Sequence, residues 1–96
     1  MENLESIRIP DYVFGVGKLH TIGKISFRVY ANDHLPPHFH VVHPQFHALV
    51  VIETLAIYAG SIPAQFERHV TAWATPNRPA LIAEWNRVNP RFPVRG

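Results

Sequence analysis

The chain has 96 residues, 47% of them apolar, no cysteine and a formal net charge of +2. That length sets a single domain, 1–96, with a core of modest size. The missing cysteine excludes a disulfide framework and thiolate metal sites, and fits a reducing compartment. So mild a charge excludes the dense basic stripe of a dedicated nucleic-acid binder. No apolar run reaches membrane-spanning length and no basic-then-apolar leader opens the chain, so the expected location is the cytoplasm, with no membrane partner.

Residues 1–21 form a lead with room for one extra strand. Ile7-Arg8-Ile9, ended by Pro10, and Tyr12-Val13-Phe14, followed by Gly15 and Gly17, are its candidates. Gly23 marks a turn. Ile25, Phe27 and Val29 then alternate with Ser26, Arg28 and Tyr30, the period of a half-buried strand. Asn32-Asp33 and Pro36-Pro37 break it into a loop. His38 to Val42 reads as a second strand, with Phe39 and Val41 on one face and His38 and His40 on the other, ended by Pro44. Ala48 to Ile52 is a continuous apolar run, the mark of a strand covered on both faces or lying centrally. Glu53-Thr54 is the expected turn, Leu55 to Tyr58 the returning strand, and Gly60 the close of the sheet.

Beyond Gly60 the period lengthens. Phe66, Val70 and Trp73 lie at i, i+4 and i+7, a helical stripe. Ser61 is its expected N-cap, Pro63 sits in its first turn, and Pro76 stops it. Asn77 caps a second helix, with Pro79 in its first turn and Leu81, Trp85 and Val88 on its stripe, ended by Pro90. Residues 90–96 form an extended basic tail. Strands first and helices last predict an α+β fold, a small antiparallel sheet of four to five strands packed against two C-terminal helices. Trp73 and Trp85 belong to the core, Glu84 to the solvated helix surface, and His20 and His69 carry no assigned role.

Five of the seven histidines, His34, His38, His40, His43 and His47, crowd into one short stretch, and histidine is both the neutral-pH proton carrier and the commonest metal ligand. A hairpin symmetric about His34 sets Tyr30 opposite His38 and Arg28 opposite His40. The exposed face then carries Ser26, Arg28, Tyr30, His38 and His40. Three readings follow. In a metal-free phosphodiesterase, His38 and His40 form the acid–base pair, Arg28 stabilises the charge on phosphate, and Tyr30 and Asp33 orient. No cofactor is needed there. In a metal site, His38 and His40 bind zinc or another divalent transition metal, and Asp33, His34, His43 or His47 supplies the third ligand. In the third, the imidazoles bond backbone carbonyls and hold the proline loop, or line a surface that docks a partner; Asp33 closes an Asx-turn, His34 is exposed and His38 is a packed hairpin residue. His34 is a binding candidate at the loop tip. Arg87 and Arg91, with Arg95, form a small basic patch suited to phosphate or an acidic partner.

The run Tyr30-Ala31-Asn32-Asp33-His34-Leu35-Pro36-Pro37-His38-Phe39-His40-Val41 resembles the signature of a small bacterial family described as a domain of unknown function, number 4160. Asp33, His34, Pro36, Pro37, His38 and His40 match the signature, and Pro79 to Asn86 resembles the family's close. The likeness runs from about Ile22 to Asn89. It implies a strand pair ending near a glycine, then a helical end, and no established activity. Members are often encoded beside another small protein, which implies a toxin–antitoxin-like module of two genes, acting on RNA or protein through the His/Arg/Tyr face. The chain departs from the family in its lead, Met1 to about Thr21, and at His43-Pro44-Gln45. A neighbour-encoded protein, nucleic acid and a second copy covering an edge strand are the expected partners.

Overall fold

The computed structural model describes residues 17–31 and 33–94. The candidate strands at residues 7–9 and 12–14 lie outside them, as do Asn32 and Arg95. Five strands follow in chain order: β1 (Gly17–Ile22), β2 (Ile25–Val29), β3 (His38–His43), β4 (Phe46–Val51) and β5 (Ile57–Gly60). They form one antiparallel meander in the order β1-β2-β3-β4-β5. One helix, α1 (Ala64–Val88), completes the α+β fold.

Sequence accounts for most of this. Gly23 takes φ 57° at the first position of the two-residue β1–β2 turn, a conformation glycine adopts without a steric penalty. The alternation of Ile25, Phe27 and Val29 is the burial pattern of β2, and that of Phe39 and Val41 places β3 in register, with Phe27 opposite Val41 and Arg28 opposite His40. β3 and β4 turn through Pro44-Gln45, pairing His43 with Phe46, so β4 starts two residues before the expected Ala48. Its apolar run is covered unequally. Ala48 and Val50 are buried against the core, whereas Leu49 and Val51 are half-buried on the other face. The returning strand starts at Ile57 rather than Leu55. Leu55, at φ 63°, donates its N–H to the Val51 carbonyl and extends the turn.

Strand β1 has no clean alternation. Its register slips between Lys18 and His20, leaving Leu19 as a bulge and setting His20 opposite Phe27. The His20 imidazole stacks on Trp73 at 5.2 Å between ring centres, and Trp73 in turn on Phe27 at 4.2 Å. A solvent-exposed histidine thus flanks the Trp73–Phe27 stack at a position where a periodicity search expects an apolar residue.

The two helices expected on either side of Pro76 are one. α1 runs through Pro76 and Pro79, and its buried stripe, Val70, Ala74, Leu81, Trp85 and Val88, stays in one phase throughout. Val70 and Leu81 lie 11 residues apart, about three turns. A proline removes one backbone donor, and here the carbonyls that lose theirs belong to Ala72 and Thr75, on the solvent side. Side chains bond the neighbouring carbonyls, Asn77 Nδ2 to Trp73 O at 2.7 Å and Thr75 Oγ1 to Thr71 O at 2.8 Å. Burial of the stripe against Phe27, Phe39, Val41 and Val50 outweighs two lost bonds. Ser61 is not the cap, since Pro63 occupies that position. Nor is the tail free as far as residue 94. Asn86 holds Val94 through both its amide groups, at 2.7 and 3.0 Å, and Trp85 Nε1 donates to the Phe92 carbonyl at 2.7 Å. No helix among the described residues is long and apolar enough to cross a membrane.

Candidate metal centre

The loop between β2 and β3 is anchored at its base by the far end of the chain. Asn89, just past α1 and almost wholly buried, accepts the Asp33 N–H at Oδ1 (3.0 Å) and donates from Nδ2 to the Tyr30 carbonyl (2.9 Å). The Leu35–Pro36 peptide is cis. The Pro36 carbonyl faces His38 Nδ1 at 2.7 Å, and the Pro37 carbonyl accepts the Ile52 N–H at 3.1 Å. Both flanks of the loop are fixed, and the Asp33 carboxylate is thereby set over the start of β3.

Three of the expected residues converge there. Asp33 Oδ2 lies 3.0 Å from His38 Nε2 and 3.0 Å from His40 Nε2. One donor atom from each of Asp33, His38 and His40 lies within 4.8 Å of the others. Arg28 faces His40 across the ladder, and the Tyr30 ring meets the His40 ring edge-on at 4.6 Å. His34 sits at the mouth, its side chain 58% exposed, with its ring 4.8 Å from that of His38. One expectation fails: His38 is not on an exposed face. Its relative accessibility is 0%, because the loop folds over it and its ring abuts His34, His40 and Trp85.

Protons at His38 follow from its partners. A carbonyl only accepts, so Nδ1 carries a hydrogen for Pro36 O. Nε2, fully buried, then makes no hydrogen bond, although Asp33 Oδ2 is 3.0 Å away. Proximity without hydrogen-bond geometry leaves this nitrogen unsatisfied, and a buried unsatisfied polar atom is a costly thing to keep.

His40 is held at both nitrogens, with Nε2 at Asp33 Oδ2 and Nδ1 at His47 Nε2, each at 3.0 Å. Burial lowers the His40 pKa, and the nearby His38 and His47 add to this, against the raising effect of Asp33. Partial burial likewise lowers that of His47. Burial pushes the Asp33 pKa up, but the His40 hydrogen bond, the His34 amide and the neighbouring imidazoles outweigh it and hold the carboxyl below its ordinary value. Around neutral pH the cluster therefore contains a carboxylate and a neutral His40, the protonation states a metal requires.

The remaining candidates lie elsewhere. His43 stacks on Phe46 at 4.6 Å and accepts the Gln45 N–H, so it shapes the turn. Arg87 pairs with Glu84 one turn back, and Arg91 is exposed past the helix end. Asn89 went unread in the sequence because a lone asparagine after a helix has many uses. Only the fold shows that it reaches back 56 residues to Asp33.

A family model described as "Domain of unknown function (DUF4160)" matches residues 25–86, more than half of the chain. Neither a curated protein nor a solved structure matches.

Proposed function

The chain belongs to the DUF4160 family, a domain of unknown function, and for it we propose a divalent transition-metal site formed by Asp33, His38 and His40. The buried, unpartnered Nε2 of His38 beside a carboxylate carries this reading. Two histidines and one carboxylate make a triad that occupies three positions and leaves others open. An ion bonded at about 2.0–2.2 Å to such atoms spaces them about 3.0–3.5 Å apart. Both edges from Asp33 Oδ2 are 3.0 Å, within that range, and all three atoms lie within 4.8 Å of one another. An ion held by Asp33, His38 and His40 would supply Lewis-acid chemistry there. Arg28 and Tyr30 beside His40 and His34 at the mouth suit an anionic, phosphate-bearing substrate, RNA among them. Metal-free acid–base catalysis by His38 and His40 is supported less well, because His38 has no exposed surface to offer a substrate.

The test uses untagged protein. Zinc(II) and cobalt(II) titrations of the chelator-stripped chain are expected to reach one equivalent, and His38→Ala and Asp33→Asn to lose it. Stoichiometric uptake that survives both substitutions rules this site out.

A second reading, a non-catalytic component of a two-gene toxin–antitoxin-like module, draws on β5. All four of its residues are exposed at the sheet edge, including Ile57 and Tyr58. An edge strand with apolar side chains suits pairing with an added strand, from a neighbour-encoded protein or a second copy. Co-expression with the adjacent gene product and size-exclusion chromatography test it.

A further inference from the structure

We propose that His47 positions His40 for metal by accepting its Nδ1 hydrogen, and that metal entry exchanges the tautomers of both rings. This rests on the metal reading above. The carboxylate Asp33 Oδ2 only accepts, so without metal the His40 hydrogen sits on Nε2, pointing at it. Nδ1 of His40 is then a lone pair, and the 3.0 Å contact to His47 Nε2 requires His47 to donate. A metal on His40 Nε2 needs that lone pair instead. The hydrogen must then sit on Nδ1 and point at His47, whose Nε2 must accept. Each imidazole keeps one ring hydrogen before and after: His40 moves its own from Nε2 to Nδ1, and His47 moves its own from Nε2 to Nδ1. Nothing is gained or lost, and the exposed side of His47 lets solvent carry the exchange.

The placement of His47 is constrained independently. It lies on β4 opposite Val42, diagonal to the His40–Leu49 pair and on the same face. Behind it, β5 approaches so closely that a Cβ on Gly60 would lie 2.1 Å from the His47 carbonyl oxygen. His47 is also excluded as a ligand of the same ion. It meets His40 at the nitrogen opposite the one that faces Asp33. It is a positioning residue, the partner that fixes a ligand's tautomer and ring orientation.

The experiment compares wild type, His47→Gln and His47→Phe in zinc(II) titrations, with cobalt(II) spectra and long-range 15N–1H correlation of the histidine rings. Gln keeps an oxygen that accepts from His40 Nδ1, and Phe does not. Expected are near-wild-type affinity for His47→Gln, a loss of about 10–100-fold for His47→Phe, and a shift of the wild-type His47 hydrogen from Nε2 to Nδ1 on loading. If wild type binds zinc and His47→Phe binds as tightly, or the His47 tautomer stays fixed, the inference fails and the metal site stands. If wild type binds neither ion, both fail together.

Discussion

His38 and Phe39 are neighbours in β3, and each is sealed from solvent, by opposite means. Phe39 sits in the apolar layer between sheet and helix, 6.3 Å from the Phe27 ring, among Val41, Val50, Leu81 and Trp85. Its contacts are many and undirected, and any apolar side chain of like volume satisfies most of them. His38 is enclosed by polar partners at particular atoms, a carbonyl at Nδ1 and a carboxylate beside Nε2, with the rings of His34, His40 and Trp85 around it. The apolar layer holds by area, and the histidine cluster holds by partners.

That contrast is broken most sharply by pairing two substitutions at the same end of α1. Trp85→Ala empties the centre of the apolar layer and removes the donor to Phe92, so a loss of about 3–5 kcal/mol is expected in denaturant unfolding. Asn89→Ala strips the partners from the Asp33 N–H and the Tyr30 carbonyl, at about 1–3 kcal/mol. Stability should rank Trp85→Ala as the worse. Zinc affinity, measured well below either transition, should rank Asn89→Ala at least as damaging, because it releases the loop that carries Asp33. Wild-type zinc affinity in Asn89→Ala would show that the loop holds without its anchor.

Glycines sharpen the comparison at the β4–β5 edge. Gly23 and Gly60 both have positive φ, 57° and 76°, and alanine pays about 1–2 kcal/mol for that conformation. At Gly23 the added Cβ meets nothing within 4 Å, whereas at Gly60 it meets the His47 carbonyl. Gly60→Ala is therefore expected to cost about 1–3 kcal/mol more than Gly23→Ala, the range of overpacking. Thermal melts of the two variants give the difference directly. Equal costs would mean that β5 moves away freely and does not constrain His47.

Legibility in the sequence divides along the same line. β2, β3 and β4 could be read because alternation reports which face is buried. The pairing of Arg28 with His40 followed from symmetry about His34, whereas spacing left Asp33, His34, His43 and His47 as equal candidates to join His38 and His40, and only the fold brings Asp33 to them. The phase carried from Val70 to Leu81 already contained the single helix, but the two prolines carry the stronger local signal, and long-range packing overrode it. Strand β1 escaped because its bulge at Leu19, and the exposed histidine that follows it, destroy the period. A packed His38 belonged only to the reading without chemistry, and Asn89 and the His40–His47 contact were out of reach, since each depends on segments brought together only by folding.

The smallest expected effect is the response to acid, and it separates the cluster from a core that does not titrate. His40 and His47 have pKa values below the ordinary 6.5 in the folded chain, so the unfolded chain binds their protons more readily. Stability is fully present above that value and falls as pH drops below it towards the folded values. The depressed Asp33 acts in the same direction at lower pH. Its contribution is present above the ordinary carboxylate value of 3.8 and is lost as pH falls through the folded value. Melting temperatures of chelator-treated protein should thus be level around pH 7 and decline on acidification in two stages. His47→Gln should flatten the first, and Asp33→Asn should remove the second at the cost of the His34 and His40 contacts. Zinc, competing with protons for the His40 nitrogen and the Asp33 carboxylate, should raise the melting temperature at pH 7 and lose that effect in acid. A melting temperature that zinc raises equally at both ends of the range would mean that the ion binds somewhere other than these side chains.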